Sequence, residues 1–360
     1  MLVSGHEPGY RVRFTPPRRK LFFEFTTLLV YLLLRDLARQ LRIKAGFGIL
    51  AGLILRSIPM VSVVIPNLHS PIIDQVIAAL DRQTARAAID EIIVVGQDRY
   101  NRIPPHVTLL ATPRPITASA ARNRGVAHAT SRYILLLDAD CIAAPECVER
   151  LLACHRAGHR VVGAGIMPET ADYWVTSDNL IGFFSALAFL PAGTRPYLPS
   201  FALSMERSVY ETVGGFDEQL PVDGADDQEF CYRLARHGVR FYFEPAAHVF
   251  HRPQRADAAS VWRHLQGYGR AHAGIQRRYR DVTNSRLRPQ LAPLAILLLA
   301  AAPFLALFDL LRLVVATSGL RRYWRFIPGM VWGRCAWYWG VAQALQLYAA
   351  GRHESVAWSR

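Results

Sequence analysis

The chain has 360 residues, 51% of them hydrophobic, and 42 Lys and Arg against 28 Asp and Glu, a net charge of +14. That is long enough for one large core with attachments, and a mean hydropathy of +0.13 is high for a protein with no membrane contact. The basic excess is almost all arginine, with Lys20 and Lys44 the only lysines, and no RNA- or DNA-binding signature accompanies it. Nucleic acid is therefore set aside, and an anionic membrane surface or a phosphorylated substrate is the expected partner. Five cysteines (Cys141, Cys147, Cys154, Cys231 and Cys335) without C-x-x-C spacing argue against zinc or a disulfide framework.

Residues 1–20 read as a basic, proline-bearing arm with no secretory pattern. Leu21–Leu34 and Ala45–Leu55 are apolar and separated by arginines. Each is shorter than the ~20 residues a spanning helix needs, so both are expected to lie as helices in a membrane interface. From Met60 the pattern becomes strand and helix in alternation: strands over Val61–Pro66, Glu91–Val95 and Val107–Leu110, helices over Pro71–Gln83 and Thr117–Ala129. Tyr133–Leu137 is a short unbroken apolar run that ends in Asp138-Ala139-Asp140. It reads as a strand buried on both faces. Two carboxylates spaced i and i+2 at the carboxyl end of such a strand suit a hard divalent cation and the phosphates it carries. This alternation predicts an α/β fold with a mostly parallel sheet.

Farther on, Pro145–His155 is expected as a helix and Arg160–Ala164 as a strand. The aromatic stretch Asp172–Pro199 has no clean period and is expected as a substrate-facing loop. Gly214-Gly215-Phe216-Asp217 follows, then a helix whose start is crowded by Asp223, Asp226, Asp227 and Glu229. That crowding suits either helix-dipole capping or a general base. A short strand over Arg240–Phe243 leads to His248, read as structural, and His251. Trp262–Arg280 is a basic helix. Leu291–Phe308 is long enough to span a bilayer, and Phe326–Ala350 is a candidate second crossing. Arg321, Arg322 and Arg325 between them run against the positive-inside tendency, so spanning and interfacial arrangements both stay open.

From Val61 to His251 the order of motifs resembles the family 2 glycosyltransferases of the GT-A fold. The matching elements are the Val61–Pro66 strand, Glu91–Val95, Ala121-Arg122-Asn123-Arg124-Gly125 and Asp138-Ala139-Asp140. After them come Gly214–Glu218, Asp226-Asp227 with Arg233 six residues on, and His251. The resemblance implies a Rossmann-like nucleotide-diphospho-sugar transferase sheet flanked by helices, with apolar helical segments at both termini. It divides the chain into 1–57 (arm and interfacial helices), 58–256 (catalytic domain), 257–288 (basic acceptor-side or juxtamembrane helix) and 289–360 (C-terminal apolar helices).

The same resemblance implies a Mn²⁺ or Mg²⁺ cofactor held by Asp138, Asp140 and His251. It implies Asp227 as general base with Asp226 beside it, and donor contacts from Pro66, Asp98, Arg122, Asn123, Asp138 and Asp140. Gly215, Phe216, Asp217 and Arg233 are implied on the acceptor side. Gly96-Gln97-Asp98 departs from the family's usual pair of acids, which leaves base reading to Asp98 or to Gln97. The Gln-x-x-Arg-Trp motif of processive members is absent.

The expected activity is inverting transfer from a UDP-, GDP- or dTDP-sugar. The expected acceptor is a glycolipid, lipid-linked saccharide or cell-surface polysaccharide precursor at the cytoplasmic face of a bacterial inner membrane. A polyprenyl-phosphate glycosyltransferase and a non-catalytic scaffold of the same fold are the alternatives.

Overall fold

The computed structural model describes residues 60–220, 224–283 and 294–349. The expected arm and interfacial helices before residue 60, Asp223, and the boundary near residue 289 lie outside them.

The sheet is laid down around β1 (Val61–Leu68), whose first five residues include four of the most buried aliphatic side chains, Val61, Val63, Val64 and Ile65. The chain then turns into α1 (Ile73–Asp81), which buries Ile73, Val76, Ile77 and Leu80, the i, i+3, i+4, i+7 face of a helix lying on a sheet. Next come β2 (Ile89–Gln97), β3 (Thr108–Ala111) and α2 (Ala118–His128). Thr117 starts α2 by accepting a hydrogen bond from the Ala120 amide (3.2 Å). All five residues of β4 (Tyr133–Leu137) are buried, because β4 has neighbours on both sides and helices on both faces.

β5 (Cys141–Ala143), α3 (Cys147–Arg156), β6 (Val161–Ile166), α4 (Tyr173–Gly182), β7 (Gly193–Arg195), β8 (Ala202–Glu206) and α5 (Arg207–Thr212) follow. They are succeeded by α6 (Asp226–Arg236), β9 (Phe241–His251), α7 (Ala258–Arg278), α8 (Arg280–Thr283), α9 (Leu294–Ala316) and α10 (Ile327–Ala349). Among the described residues the strands form one sheet in the order β3-β2-β1-β4-β8-β6-β9-β5, with β7 paired to β9. β3, β2, β1 and β4 are mutually parallel. Their carboxyl ends therefore open on one edge, where Pro66, Gln97 and Asp138 collect. β8 runs antiparallel to β4 and β6, and β9 parallel to β6.

Two segments differ from expectation. Asp172–Pro199 is not a loop: Asp172 caps α4 by accepting from the Val175 amide (2.8 Å), and β7 follows. The buried face of α4 includes the polar residues Thr176, Ser177, Asp178 and Asn179, each no more than 2% exposed. A search for apolar periodicity passes over a helix that buries polar side chains. β9 also runs on to His251 instead of ending at Phe243. Its pairing to β6 jumps from Glu244 to His248, so the chain absorbs Pro245 as an irregularity within the strand.

At the C-terminal side, α7 opens with a reciprocal capping box between Asp257 and Ser260. Within α9, Leu297–Ala316 is long and apolar enough to cross a membrane, with 17% of it buried inside the protein. Phe304 (77% exposed) and Val315 (73%) lie on its open face. This helix sits later in the chain than the expected Leu291–Phe308. The 3₁₀ segment Ser318–Phe326 joins it to α10, which lies along α7 at backbone contact. A Cβ added at Gly269 would collide with the Trp337 carbonyl oxygen, and one at Gly340 with the Gln266 carbonyl oxygen.

That crossing predicts a sharp positional effect. Gly269→Val and Gly340→Val force the helices apart and are expected to cost about 1–3 kcal/mol each, read as a lowered melting temperature in detergent. Gly267→Ala, where nothing lies within 4 Å of an added Cβ, is expected to hold or raise it, because alanine is the better helix former.

Candidate active site

The open edge of the parallel strands forms one wall of a cleft of about 1190 Å³. Asp138, Asp140, Arg122, His251, Arg255 and Tyr268 are among the residues that line it. Asp138 follows β4 directly, and the tight turn closed by the Cys141 amide on the Asp138 carbonyl oxygen (3.0 Å) sets Asp140 one step farther along the rim. The last residue of β9, His251, lies opposite Cys141 in the β5–β9 pairing. This pairing carries its Nε2 to 3.5 Å from Asp140 Oδ1.

His251 is held in one orientation by α4. Its Nδ1 is 2.6 Å from Asn179 Oδ1, and the Asn179 amide donates back to the His251 carbonyl oxygen (2.8 Å). With Nδ1–H donating to Asn179, Nε2 is the ring nitrogen turned towards Asp140, as in metal-ligating histidines with a fixed outer partner. Burial opposes the charge on Asp140, but His251 and then Arg255 outweigh it and hold the carboxyl below its ordinary range.

Ligand atoms of Asp140, Cys141 and His251 lie within 4.8 Å of one another. The carboxylate and imidazole suit a hard or borderline dication. The Cys141 thiol does not, since burial, followed by the charges of Asp140 and Asp138, pushes it well above its usual value.

Arg122, 4% exposed, joins the two acidic ends of the site. It donates from Nη2 to Asp138 Oδ1 (2.8 Å) and from Nη1 to Asp226 Oδ2 (2.6 Å), and sits 5.3 Å over the Phe216 ring. Burial raises the Asp138 pKa, Asp140 adds to that, and Arg122 opposes both. Asp226 also takes a bond from the Ser119 hydroxyl (3.3 Å). Next to it, Asp227 is pushed up to about 7 by burial and then by the charge of Asp226, against hydrogen bonds from the Gln228 and Ser200 amides. A carboxyl titrating near neutrality is suited to proton abstraction, although neither Asp226 nor Asp227 is among the residues that line the cleft.

Several expected ligand contacts are engaged elsewhere. Asp98 accepts from the amides of Tyr100, Arg102 (2.6 Å) and Ile103 (3.0 Å) and so orders its own loop. Gln97 lines the cleft instead, anchored through Nε2 to the Thr112 carbonyl oxygen (3.1 Å). Asn123 is not a donor contact either. Its Oδ1 accepts from the Phe216 amide (2.8 Å) and the Tyr210 hydroxyl, and its Nδ2 donates to the Phe216 carbonyl oxygen (2.9 Å) and to Glu218 (2.8 Å).

The Gly214–Asp217 turn is held by these contacts, and none of its four residues is among those lining the cleft, although Glu218 is. Gly215 has φ +83 and no room for a Cβ beside Asn123 Oδ1. Phe216 stacks on Phe230 with ring centroids 4.4 Å apart, and Asp217 holds the Gln219 amide (3.0 Å). Arg233 clasps the same turn through the carbonyl oxygens of Val213 and Gly215 (2.7 Å each). Its fork binds the fully buried Glu229 (2.8–2.9 Å), which also accepts from the Tyr279 hydroxyl. Pro66 lines the cleft as expected of a residue at the end of β1. Sequence reading missed Asp178, Asn179, Arg255 and His264. The polar run Thr176–Asn179 inside an aromatic stretch was the available signal for the first two.

Residues 62–214 match the model of Glycosyl transferase family 2. Two curated relatives, both named pre-mycofactocin glycosyltransferase, come from Mycobacterium tuberculosis strains CDC 1551 / Oshkosh and ATCC 25618 / H37Rv. Each is 31% identical over 156 residues. The match covers 40% of this chain and only 32% of theirs, so the chain spans about a third of the length of these relatives. Among solved structures, the mannosyltransferase PcManGT from Pyrobaculum calidifontis, in complex with GDP-Man and Mn²⁺, superposes with a TM-score of 0.53 at 20% identity. It covers 81% of this chain and 87% of its own. That likeness is one of fold.

The Arg233–Glu229 lock predicts a stability effect. Arg233→Ala leaves Glu229 buried beside Tyr279 alone and is expected to cost about 3–5 kcal/mol, read from the urea midpoint. Adding Glu229→Gln to that variant recovers part of the loss, because no uncompensated charge then remains inside.

Proposed function

With residues 62–214 a domain of glycosyl transferase family 2, we propose that the chain is a metal-dependent, inverting glycosyltransferase. In this reading it acts at a membrane surface and takes its sugar from a nucleoside diphosphate. The observation that carries it is the arrangement at the end of β4: Asp138 and Asp140 at a parallel-sheet edge, with His251 fixed by Asn179 to face Asp140. Asp140 and His251, with the free oxygen of Asp138, are the residues that would hold Mn²⁺ or Mg²⁺. When bound, such an ion neutralises charge on the departing diphosphate.

The protein's own groups account for the rest. Pro66 and Gln97 border the nucleoside end of the cleft. Asp227 takes the proton from the acceptor hydroxyl as that oxygen bonds to the anomeric carbon. The bond from that carbon to the diphosphate breaks on the opposite face, its electron pair leaves with the diphosphate, and one displacement inverts the centre. Arg122 pairs with Asp226 beside Asp227, and the Asp226 charge raises the affinity of Asp227 for the proton it must take.

The open face of α9 supports lipid contact, and Trp324 (72% exposed) lies in the segment that joins α9 to α10. A lipid-linked or membrane-anchored acceptor follows from this placement, and the cytoplasmic face from the supply of nucleotide sugars.

The test is nucleoside diphosphate release from UDP-, GDP- and dTDP-sugars in lipid or detergent, with Mn²⁺, Mg²⁺ or chelator. One donor is expected to turn over only with metal. Asp140→Ala loses both metal-dependent binding and turnover. Asp227→Asn keeps donor binding and loses turnover by about 10²-fold or more. Because the base must be ionised, kcat/KM rises with pH through about 7 and levels off above it. Folded protein that neither binds nor turns over any donor would leave only the scaffold reading.

A further inference from the structure

Outside the carboxylate motif, the described part of the cleft holds one other buried charge cluster, and the proposed chemistry has not used it. Asp178, on α4, is fully buried. Both of its oxygens are engaged: Arg255 donates Nε–H to Oδ2 (2.8 Å), and His264 Nδ1 lies 2.8 Å from Oδ1. Burial opposes ionisation of Asp178, yet His264 and Arg255 hold it below the ordinary carboxylate range. The carboxylate is thus a fixed anion inside the wall, while Arg255 and His264 lie at the cleft surface.

Arg255 is joined to Asp178 through Nε alone, which leaves both Nη groups for another partner, and its side chain keeps 24% of its surface exposed. Three residues before it, the Arg252 amide donates to the Asp140 carbonyl oxygen (2.8 Å), and Arg255 lines the cleft together with Asp140. The other cleft arginines are placed differently. Arg252 is closed on Glu169 (2.6 and 2.7 Å), Arg122 on Asp138 and Asp226, and Arg114 and Arg124 stand exposed at the rim. Only Arg255 combines a buried anchor, free donors and a position beside Asp140. A planar fork held in this way is suited to bidentate recognition of phosphate oxygens.

We propose that Arg255 is a binding residue for the diphosphate of the donor, held in place by the positioning residue Asp178, whose second oxygen is occupied by His264. This rests on the glycosyltransferase reading and adds to it a protein-borne positive charge that acts on the leaving group alongside the ion. The ligand chemistry is a phosphate oxyanion. Its position beside Asp140 assigns it to the donor rather than to a phosphorylated acceptor.

The experiment is calorimetric titration of the full chain with UDP, GDP and dTDP, with uridine, guanosine and thymidine, and with vesicles carrying a long-chain alkyl phosphate, each in Mn²⁺ and in chelator. Arg255→Ala is expected to weaken the diphosphate that wild type binds by about 10- to 100-fold, in Mn²⁺ and in chelator alike. The matching nucleoside and the vesicles are expected to bind unchanged. Asp178→Asn weakens the same ligand in the same sense. Arg255→Gln, which retains a donor towards Asp178, decides the matter if Arg255→Ala does not fold.

Wild type that binds none of the three diphosphates overturns the glycosyltransferase reading itself. Wild-type binding with unchanged affinity in the variants overturns only the role of Arg255. A loss confined to the vesicles, or one seen only with Mn²⁺, overturns its assignment to the donor diphosphate.

Discussion

The site depends on one buried guanidinium. Arg122 leaves α2 between two elements that are far apart in sequence, the end of β4 and the first turn of α6, and carries a hydrogen-bonded ion pair to each. Burying either charge there without a partner would cost several kcal/mol. A single cation between two anions lets the Asp138–Asp140 turn and the acids at the start of α6 share one electrostatic environment. The Phe216 ring beneath Arg122 adds a face that favours the cation and excludes water. The geometry of chemistry at Asp140 is thus coupled to the acids at 226 and 227 through atoms that do not themselves touch the reacting centre.

Around this bridge the fold repeats one device, a fully desolvated polar group whose partners are chosen so that a neighbour points outward. Asn179 turns the Nε2 of His251 towards Asp140. Glu229 holds Arg233, and Arg233 and Asn123 hold the Gly214–Asp217 turn that supports Phe216. The pattern explains why many of the conspicuous polar residues of the sequence do not face the cleft. Buried polar groups that are completely satisfied give a rigid arrangement, and here that rigidity is used to aim His251, Arg122 and Asp227.

Much of the architecture was legible in the sequence. The β4 run ending in Asp138-Ala139-Asp140, the strand–helix alternation before it and the acids at the start of α6 rest on apolar period and strand-end chemistry, which are local. What was not legible has definite causes. α4 buries Thr176–Asn179, so its period is polar and reads as irregular. β9 carries Pro245, which looks like a strand end. Asp98, Asn123 and Arg233 match motif positions, but whether a side chain faces a ligand or a backbone amide depends on tertiary neighbours. Arg255 and His264 become a pair only through Asp178, more than seventy residues earlier in the chain.

The contact between α7 and α10 has a mechanical meaning. One side of α7 presents His264 and Tyr268 to the cleft, and another meets α10 with no side chain between the backbones at Gly269 and Gly340. Such a joint has almost no play, since carbonyl oxygens abut it from both directions. Any change in the angle of α10 against α7 would have to be taken up by α7 itself, the helix that carries His264 and Tyr268. The placement of α10 thereby becomes a variable of the cleft's shape.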